Sequence, residues 1–301
     1  MLNGVLLIDK PRGWTSHDAV AKVRGLTGER RVGHTGTLDP MATGLLVLCV
    51  GRATRVAQFL EGLDKVYFAE ITFGIATDTY DADGREVSRA QFLAVNEAEV
   101  RSALEKFIGP QQQTPPPYSA IKVKGKKLYE YARAGEKVET KPRRVIFHSI
   151  EILSFDSPRL TVRAKVSSGT YVRSFAHDLG QRLGCGAHLS ALRREAIGHF
   201  SLDRATPLSD FENNPSLLPA KLLSLAQALS HLPQIIVSPE MARLLANGRP
   251  LDSSQISANL PTSDPDQFIL ALDEAGREVA VLQRTPANHT ILKPVRVLTN
   301  P

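Results

Sequence analysis

The chain has 301 residues, 42% of them hydrophobic and 23% charged, a balance that can bury a substantial core in one large domain or in one large and one small. No apolar run approaches the roughly 20 residues that cross a bilayer, and Met1-Leu2-Asn3-Gly4 lacks the basic start and apolar stretch of a signal peptide. A cytoplasmic protein is therefore expected, and two cysteines, Cys49 and Cys185, agree with a reducing compartment. The net charge of +6 is concentrated: between Gln113 and Phe147 nine lysines and arginines face three glutamates, whereas 202–301 carries eight positives against ten negatives. A basic segment on a nearly neutral body points to a local polyanion contact, although lysine-rich loops are often merely solvated.

Gly4 to Asp9 reads as a short buried strand, broken by Lys10-Pro11-Arg12-Gly13. Thr15 and Ser16 then cap a helix to about Leu26. Gly33 to Gly44 is a loop of Gly, Thr, Asp and Pro. It feeds Leu45–Val50, a six-residue apolar run whose length and glycine boundaries predict a buried strand. Tyr67, Ala69, Ile71 and Phe73 alternate along a strand from Lys65 to Gly74, and Asp83-Gly84 is a hairpin-type turn. Glu97 to Ile108 has helical apolar spacing, Asn96 as N-cap with Glu99 three residues on, and Gly109 to end it.

The proline-rich stretch Gln111 to Pro117 is expected to be irregular and to introduce the basic segment. Leu160, Val162, Ala164 and Val166 alternate with Thr161, Arg163 and Lys165, a half-exposed strand with a cationic face. Tyr171 to Leu183 reads as a helix closed by Gly184, and Asp203 to Pro233 as leucine-rich helix. Beyond Ile235 come short strands. A small helix opens at Ser238-Pro239, Phe268–Asp273 and Arg277–Gln283 form a hairpin, and Ile291–Leu298 is a strand that Pro294 places at an edge. Strands and helices mixed without a βαβ rhythm predict an α+β fold with a largely antiparallel sheet flanked by helices, divided into 1–232 and a small β-rich module, 233–301.

The densest chemistry is Gly33-His-Thr-Gly-Thr-Leu-Asp39-Pro-Met-Ala-Thr-Gly44. Its glycines, threonines and proline describe a backbone held in one special conformation around a single carboxylate, and Pro40 restricts Asp39 to extended geometry. Taken alone, an aspartate in such a loop more often caps its own turn.

This stretch resembles the signature of the TruB family of tRNA pseudouridine-55 synthases. So do, in order and spacing, Gly4–Pro11, Lys65-Val-Tyr67, Thr77–Gly84, Pro116–Lys122, Lys126–Gly135, Ser168–Arg173 and Leu192-Arg-Arg194. The resemblance covers about residues 4 to 200 and extends weakly to the tail as the family's PUA-like RNA-binding module. It implies a pseudouridine-synthase core whose essential carboxylate is Asp39, with Arg173 as its partner and Tyr67 packing on the target base. His34 would fill space near an everted base, Asp81 would join the active-site network, and Tyr171 and Leu192 would wall the uracil pocket. Lys10 falls in the N-terminal motif and is expected near the substrate. Lys122, Lys126, Lys127, Arg143 and Arg144, in an insertion over about 113–147, would meet tRNA phosphates. The partner implied is the T arm of tRNA, bound by a monomer that needs no protein partner.

The residue chemistry is compatible with these roles. Isomerising uridine gains no atoms and exchanges no electrons, so no cofactor or metal is expected; one ionised carboxylate suffices. A neighbouring guanidinium keeps such a carboxylate charged at neutral pH. Other readings are weaker. Thr79 and Ala90 stand where an EF-hand needs its first and last ligands, His177, Cys185 and His188 have no zinc spacing, and no P-loop is present. A non-catalytic RNA binder would not explain the Asp39 loop. A glycosidase would need a second carboxyl about 5–10 Å away, with Asp9 and Asp81 as candidates, and neither sits in a sequence setting that clearly raises its pKa. An RNA-guided relative with partner proteins would not need the basic insertion.

Overall fold

The structure is a computed structural model and describes residues 2–90, 95–136, 138–256, 267–285 and 288–299. Among these, ten strands form one sheet. β1 (Gly4–Lys10) pairs antiparallel with β3 (Thr43–Val50), and β2 (Val32–His34) pairs with the far end of β3. Between β1 and β2 lies α1 (Ser16–Thr27), held at its start by a reciprocal Thr15–Asp18 capping box and closed by Gly28 in the left-handed conformation. The short α2 (Ala57–Glu61) leads into β4 (Lys65–Phe73) at the middle of the sheet.

A side hairpin follows, β5 (Ile75–Thr77) with β6 (Glu86–Arg89), its connecting loop containing Asp83-Gly84. Then come α3 (Glu97–Glu105), with the expected Asn96–Glu99 capping box, and β7 (Gly109–Gln113). The helix stops three residues short of Ile108, in a turn through Phe107 and Ile108.

Gln111–Gln113 correct the sequence expectation. They lie in regular structure, paired with Val145, Arg144 and Arg143 of β10 (Arg143–Asp156); Pro110 sits in the same strand opposite Ile146, tolerated because β7 is the edge of the sheet, and the prolines from 115 on follow the pairing. Between them the insertion folds as a two-residue hairpin, β8 (Lys122–Val123) and β9 (Lys126–Lys127), followed by α4 (Leu128–Arg133). Lys137 lies outside the described residues.

The sheet closes with β11 (Arg159–Val166) and, after α5 (Val172–Arg182), with β12 (Ala187–Ile197), which lies between β4 and β3. On β11 the cationic face is partly neutralised: Arg163 Nε is 2.7 Å from Glu195, and Glu151 is also close to the guanidinium. β13 (Phe200–Ser201) folds back antiparallel on the end of β12, and β14 (Thr206–Pro207) runs parallel to β1.

The stretch from Asp203 to Pro233 is broken into α6 (Leu208–Asn213), α7 (Leu217–Lys221) and α8 (Leu225–Ala228), not the longer helical run expected. Pro207, Pro215 and a Ser224 cap interrupt it while its leucines still reach the core. The C-terminal sheet comprises β15 (Gln234–Val237), β16 (Leu251–Asp252), β17 (Phe268–Asp273), β18 (Glu278–Thr285) and β19 (Asn288–Val297), with α9 (Pro239–Ala246) against it. Pro294 falls on β19 beyond the reach of the two-residue β16, so that side of the strand needs no ladder donor there.

Alternation decides which face each residue serves. On β1, Leu6 and Ile8 enter the core shared with α1, α3 and α5, while Val5 and Leu7 enter a second core. That second core is completed by Leu270, Leu272, Val281 and Leu298 of the C-terminal region, so the small sheet is packed on the back of the large one. Both faces of β1 and β3 are therefore buried, whereas alternate residues of β4 are only half-buried, and the site lies near the middle of the sheet where β4 and β12 meet the loop before β3 and the start of α5.

Candidate active site

The Asp39 loop is fixed at several points by groups distant in sequence. The Ser16 hydroxyl, buried at the start of α1, accepts from the Leu38 N–H at 2.7 Å and donates to the Leu38 carbonyl at 3.2 Å. The Gly13 N–H donates to the Pro40 carbonyl at 2.8 Å. Arg194 on β12 is 1% exposed, and its guanidinium donates to the carbonyls of Leu45 at 2.8 Å, Gly36 at 3.1 Å and Thr37 at 3.4 Å, so one side chain ties the loop's entry to its exit. Gly44, at φ +100°, passes so close that a Cβ there would collide with the Arg194 backbone.

The loop presents Asp39 to Arg173, which is 5% exposed on the first turn of α5. Nη2 donates to Asp39 Oδ1 at 3.0 Å, and Nε lies 2.9 Å from Oδ2 as a charge contact without hydrogen-bond alignment. The same guanidinium donates to the carbonyls of Tyr118 at 2.9 Å and Thr79 at 3.1 Å, and Nη1 sits 3.4 Å from Asp81 Oδ2. Asp81 also accepts from the Thr79 hydroxyl at 2.6 Å and the Asp83 N–H at 3.1 Å. Burial raises its pKa, opposed by the Thr79 hydrogen bond and by Arg173. That elevation was not evident from the sequence. Asp39 keeps a 32% exposed side chain and Asp81 only 6%, so one carboxylate faces the cleft and the other stands behind the arginine.

The cleft has a volume of about 570 Å³ and is lined by His34, Asp39, Lys65, Tyr67, Tyr171 and Leu192 among others, which brings together most of the residues expected to meet the base. Tyr67 and Leu192 are 8% and 7% exposed on the neighbouring strands β4 and β12. Tyr171 is held by Gln113, whose side-chain carbonyl accepts from the Tyr171 N–H at 2.8 Å while its amide donates to the Tyr171 carbonyl at 3.0 Å. Burial keeps the His34 imidazole below its usual pKa, with Arg194 and His17 acting in the same direction. Burial likewise brings Lys65 down to about 8, its ammonium donating to the Glu61 carbonyl at 2.6 Å.

Other expected residues stand apart. Lys10 is fully buried and donates to the Pro11 and Trp14 carbonyls at 2.9 and 2.7 Å. It lines a separate groove with Asp9, Trp14 and Arg193, and burial lowers it to about 8 against the pull of Asp39. Lys122, Lys126, Arg143 and Arg144 are exposed and Lys127 is half-buried; none lines the cleft. Their segment reaches the cleft through Tyr118, Ser119 and Tyr129. Lys127 and Arg133 both lie over the Tyr129 ring, 5.4 and 5.5 Å from its centre. Sequence reading missed the anchoring roles of Ser16, Gln113 and Arg194; each has polar neighbours in the chain, so no local signal distinguished them.

What this arrangement offers chemically is a carboxylate held by a buried guanidinium at the floor of an aromatic-walled cleft. Among the described residues no cluster of three or more His, Cys, Asp or Glu side chains could hold a metal. The N-terminal domain model of the TruB family pseudouridylate synthases matches residues 24–172, and the C-terminal domain model of tRNA pseudouridylate synthase B matches 173–230. The chain is 43% identical over 306 residues to tRNA pseudouridine synthase B of Bacillus licheniformis, covering 99% of this chain and 98% of that one. It is 51% identical over 214 residues to the protein of the same name from Opitutus terrae, covering 71% and 89%. A solved Cbf5-Nop10-Gar1 complex has a chain that superposes with a TM-score of 0.77 at 24% identity, covering 99% of this chain and 85% of that one. An H/ACA RNP bound to a substrate RNA containing 2′-deoxyuridine has one with 0.76 at 23%, covering 98% and 85%; at these identities the likeness is one of fold. On the sequence relationships, the chain belongs to the TruB family of pseudouridylate synthases.

Proposed function

We propose that this enzyme converts uridine to pseudouridine at position 55, in the T loop of tRNA, by flipping the base into the cleft and using Asp39 at the glycosidic bond. The observation that carries the reading is the Asp39 carboxylate, one-third exposed to the cleft and doubly engaged by buried Arg173. The names of the relatives supply tRNA as the substrate class. In the reaction the C1′–N1 bond breaks, the uracil turns, C1′ bonds to C5, the C5 proton leaves to solvent and N1 takes one up. Asp39 serves by attack on C1′, by attack on C6 or by taking a ribose proton, and each route uses the ionised form.

A uridine leaves its stack at an expense of a few kcal/mol. Tyr67 and His34 would offset part of this, since stacking on an aromatic contributes roughly 1–3 kcal/mol per base. The exposed lysines of the insertion would hold phosphates without reading sequence. The C-terminal sheet would act as a PUA-like RNA-contacting module, its contribution small because 202–301 carries a net charge of −2. The purified chain would act as a monomer without partner proteins.

The test is tritium release from unmodified tRNA labelled with [5-³H]uridine, using the purified chain alone. Wild type should release tritium and Asp39→Asn none. Free uracil among the products would indicate a glycosidase instead, and tRNA binding without release by the wild type would leave only an RNA binder.

A further inference from the structure

Tyr80 has a left-handed backbone, φ +66°, which costs a residue with a Cβ roughly 1–2 kcal/mol. It stands between Thr79, whose carbonyl accepts from Arg173, and Asp81, whose carboxylate faces Arg173. Its own carbonyl accepts from Leu189 at 3.0 Å, and its ring stacks on His177 with centroids 3.8 Å apart and planes 9° from parallel. His177 follows Arg173 by four residues on α5, so both side chains project from the same face, one turn apart. The loop thus meets the helix twice. The ion pair and carbonyl contacts hold Arg173, and the ring stack lies about one turn further on. Backbone hydrogen bonds hold the loop to β12, the Leu189 N–H on the Tyr80 carbonyl and the Ala82 N–H on the Leu189 carbonyl, both at 3.0 Å, and the planar ring contact adds the hold on α5. The His177 Nδ1 atom is buried without a hydrogen-bond partner, so the ring's visible engagement is with Tyr80.

We infer that the Tyr80–His177 stack is a positioning device for the catalytic pair, holding the Thr79–Asp81 loop against α5 so that Arg173 keeps its orientation toward Asp39. The inference rests on the synthase activity proposed above. Neither ring lines the cleft, so substrate binding does not depend on them.

Four variants test it in steady-state tritium release, with a thermal melt of each. His177→Phe and Tyr80→Phe keep two stacked rings and should retain kcat within about twofold. His177→Ala and Tyr80→Gly remove one ring, and Tyr80→Gly also relieves the left-handed strain. Both should lose roughly tenfold in kcat at unchanged KM, since misplacement of a catalytic group by an ångström can be worth as much as 100-fold. Tyr80→Gly should do so without a lower melting temperature, which separates positioning from general destabilisation. The inference is overturned if Tyr80→Gly turns over like wild type, if the loss lies in KM, or if the phenylalanine variants lose as much as the others. An inactive wild type would instead overturn the proposed reaction.

Discussion

Arg173→Met should expose how much of the site's stability depends on one guanidinium. The variant keeps the helix and much of the side-chain volume but leaves two carboxylates without their cation. Asp39, with a 32% exposed side chain, can turn to water; Asp81, at 6%, cannot. Breaking a buried pair from one side costs about 3–5 kcal/mol. The Thr79 hydroxyl and Asp83 N–H still serve Asp81, which places the expectation near the lower end, about 3 kcal/mol. At roughly 2 °C per kcal/mol for a chain of this size, the melting temperature at pH 8 should fall by about 6 °C.

The deficit should depend on pH in a defined direction. Burial already raises Asp81 above its usual 3.8, and removing the guanidinium raises it further. Between 3.8 and that raised value the folded variant holds a proton that the unfolded chain has released. Lowering the pH therefore stabilises the folded variant relative to its unfolded state, and the penalty, full above the raised pKa, shrinks as the pH falls toward the unfolded value. Thermal melts of wild type and Arg173→Met at pH 8 and pH 5 measure it. An equal loss at both values would refute the assignment of the penalty to an uncompensated Asp81.

Three further outcomes follow from the geometry. Ser16→Ala strands the Leu38 N–H and carbonyl beside Asp39 and should lower stability by about 1–3 kcal/mol in urea titrations, with reduced kcat from a loosened loop. Replacing Lys122, Lys126 and Lys127 together by alanine should flatten the slope of log binding constant against log salt. The change should be about 0.9 for each phosphate no longer neutralised, with kcat at saturating tRNA little altered. Cys49 and Cys185 are both buried, and burial pushes the Cys49 thiol up to about 12 and the Cys185 thiol also upward. A thiol reagent at pH 8 should accordingly label neither until the chain is unfolded; rapid labelling of the native protein would contradict this burial.

Local pattern was sufficient for much of the chain. The Thr15–Asp18 and Asn96–Glu99 caps, the alternation along β4 and β11, and the apolar run of β3 each read the same in one dimension and in three, because helix capping and strand alternation are settled by neighbours within a few residues. The density of Gly, Thr and Pro around Asp39 likewise marked a constrained loop. What holds that loop was not local. Ser16 lies 22 residues from Leu38, Arg173 lies 134 from Asp39 and Arg194 lies 149 from Leu45, so their meeting follows from the sheet order that sets β12 between β3 and β4 and from the packing of α5 on β12.

The same distinction explains the errors. Gln111–Gln113 look irregular beside their prolines but become a strand because β10 offers an edge some thirty residues away, and the leucine-rich stretch from Asp203 to Pro233 is divided into three short helices as its leucines reach the core. Periodicity, capping and motif sufficed for most of the elements and for the family resemblance. Tertiary structure alone decided which buried cation faces which acceptor, because such a pairing is stable only where long-range packing excludes water and leaves each group no other partner.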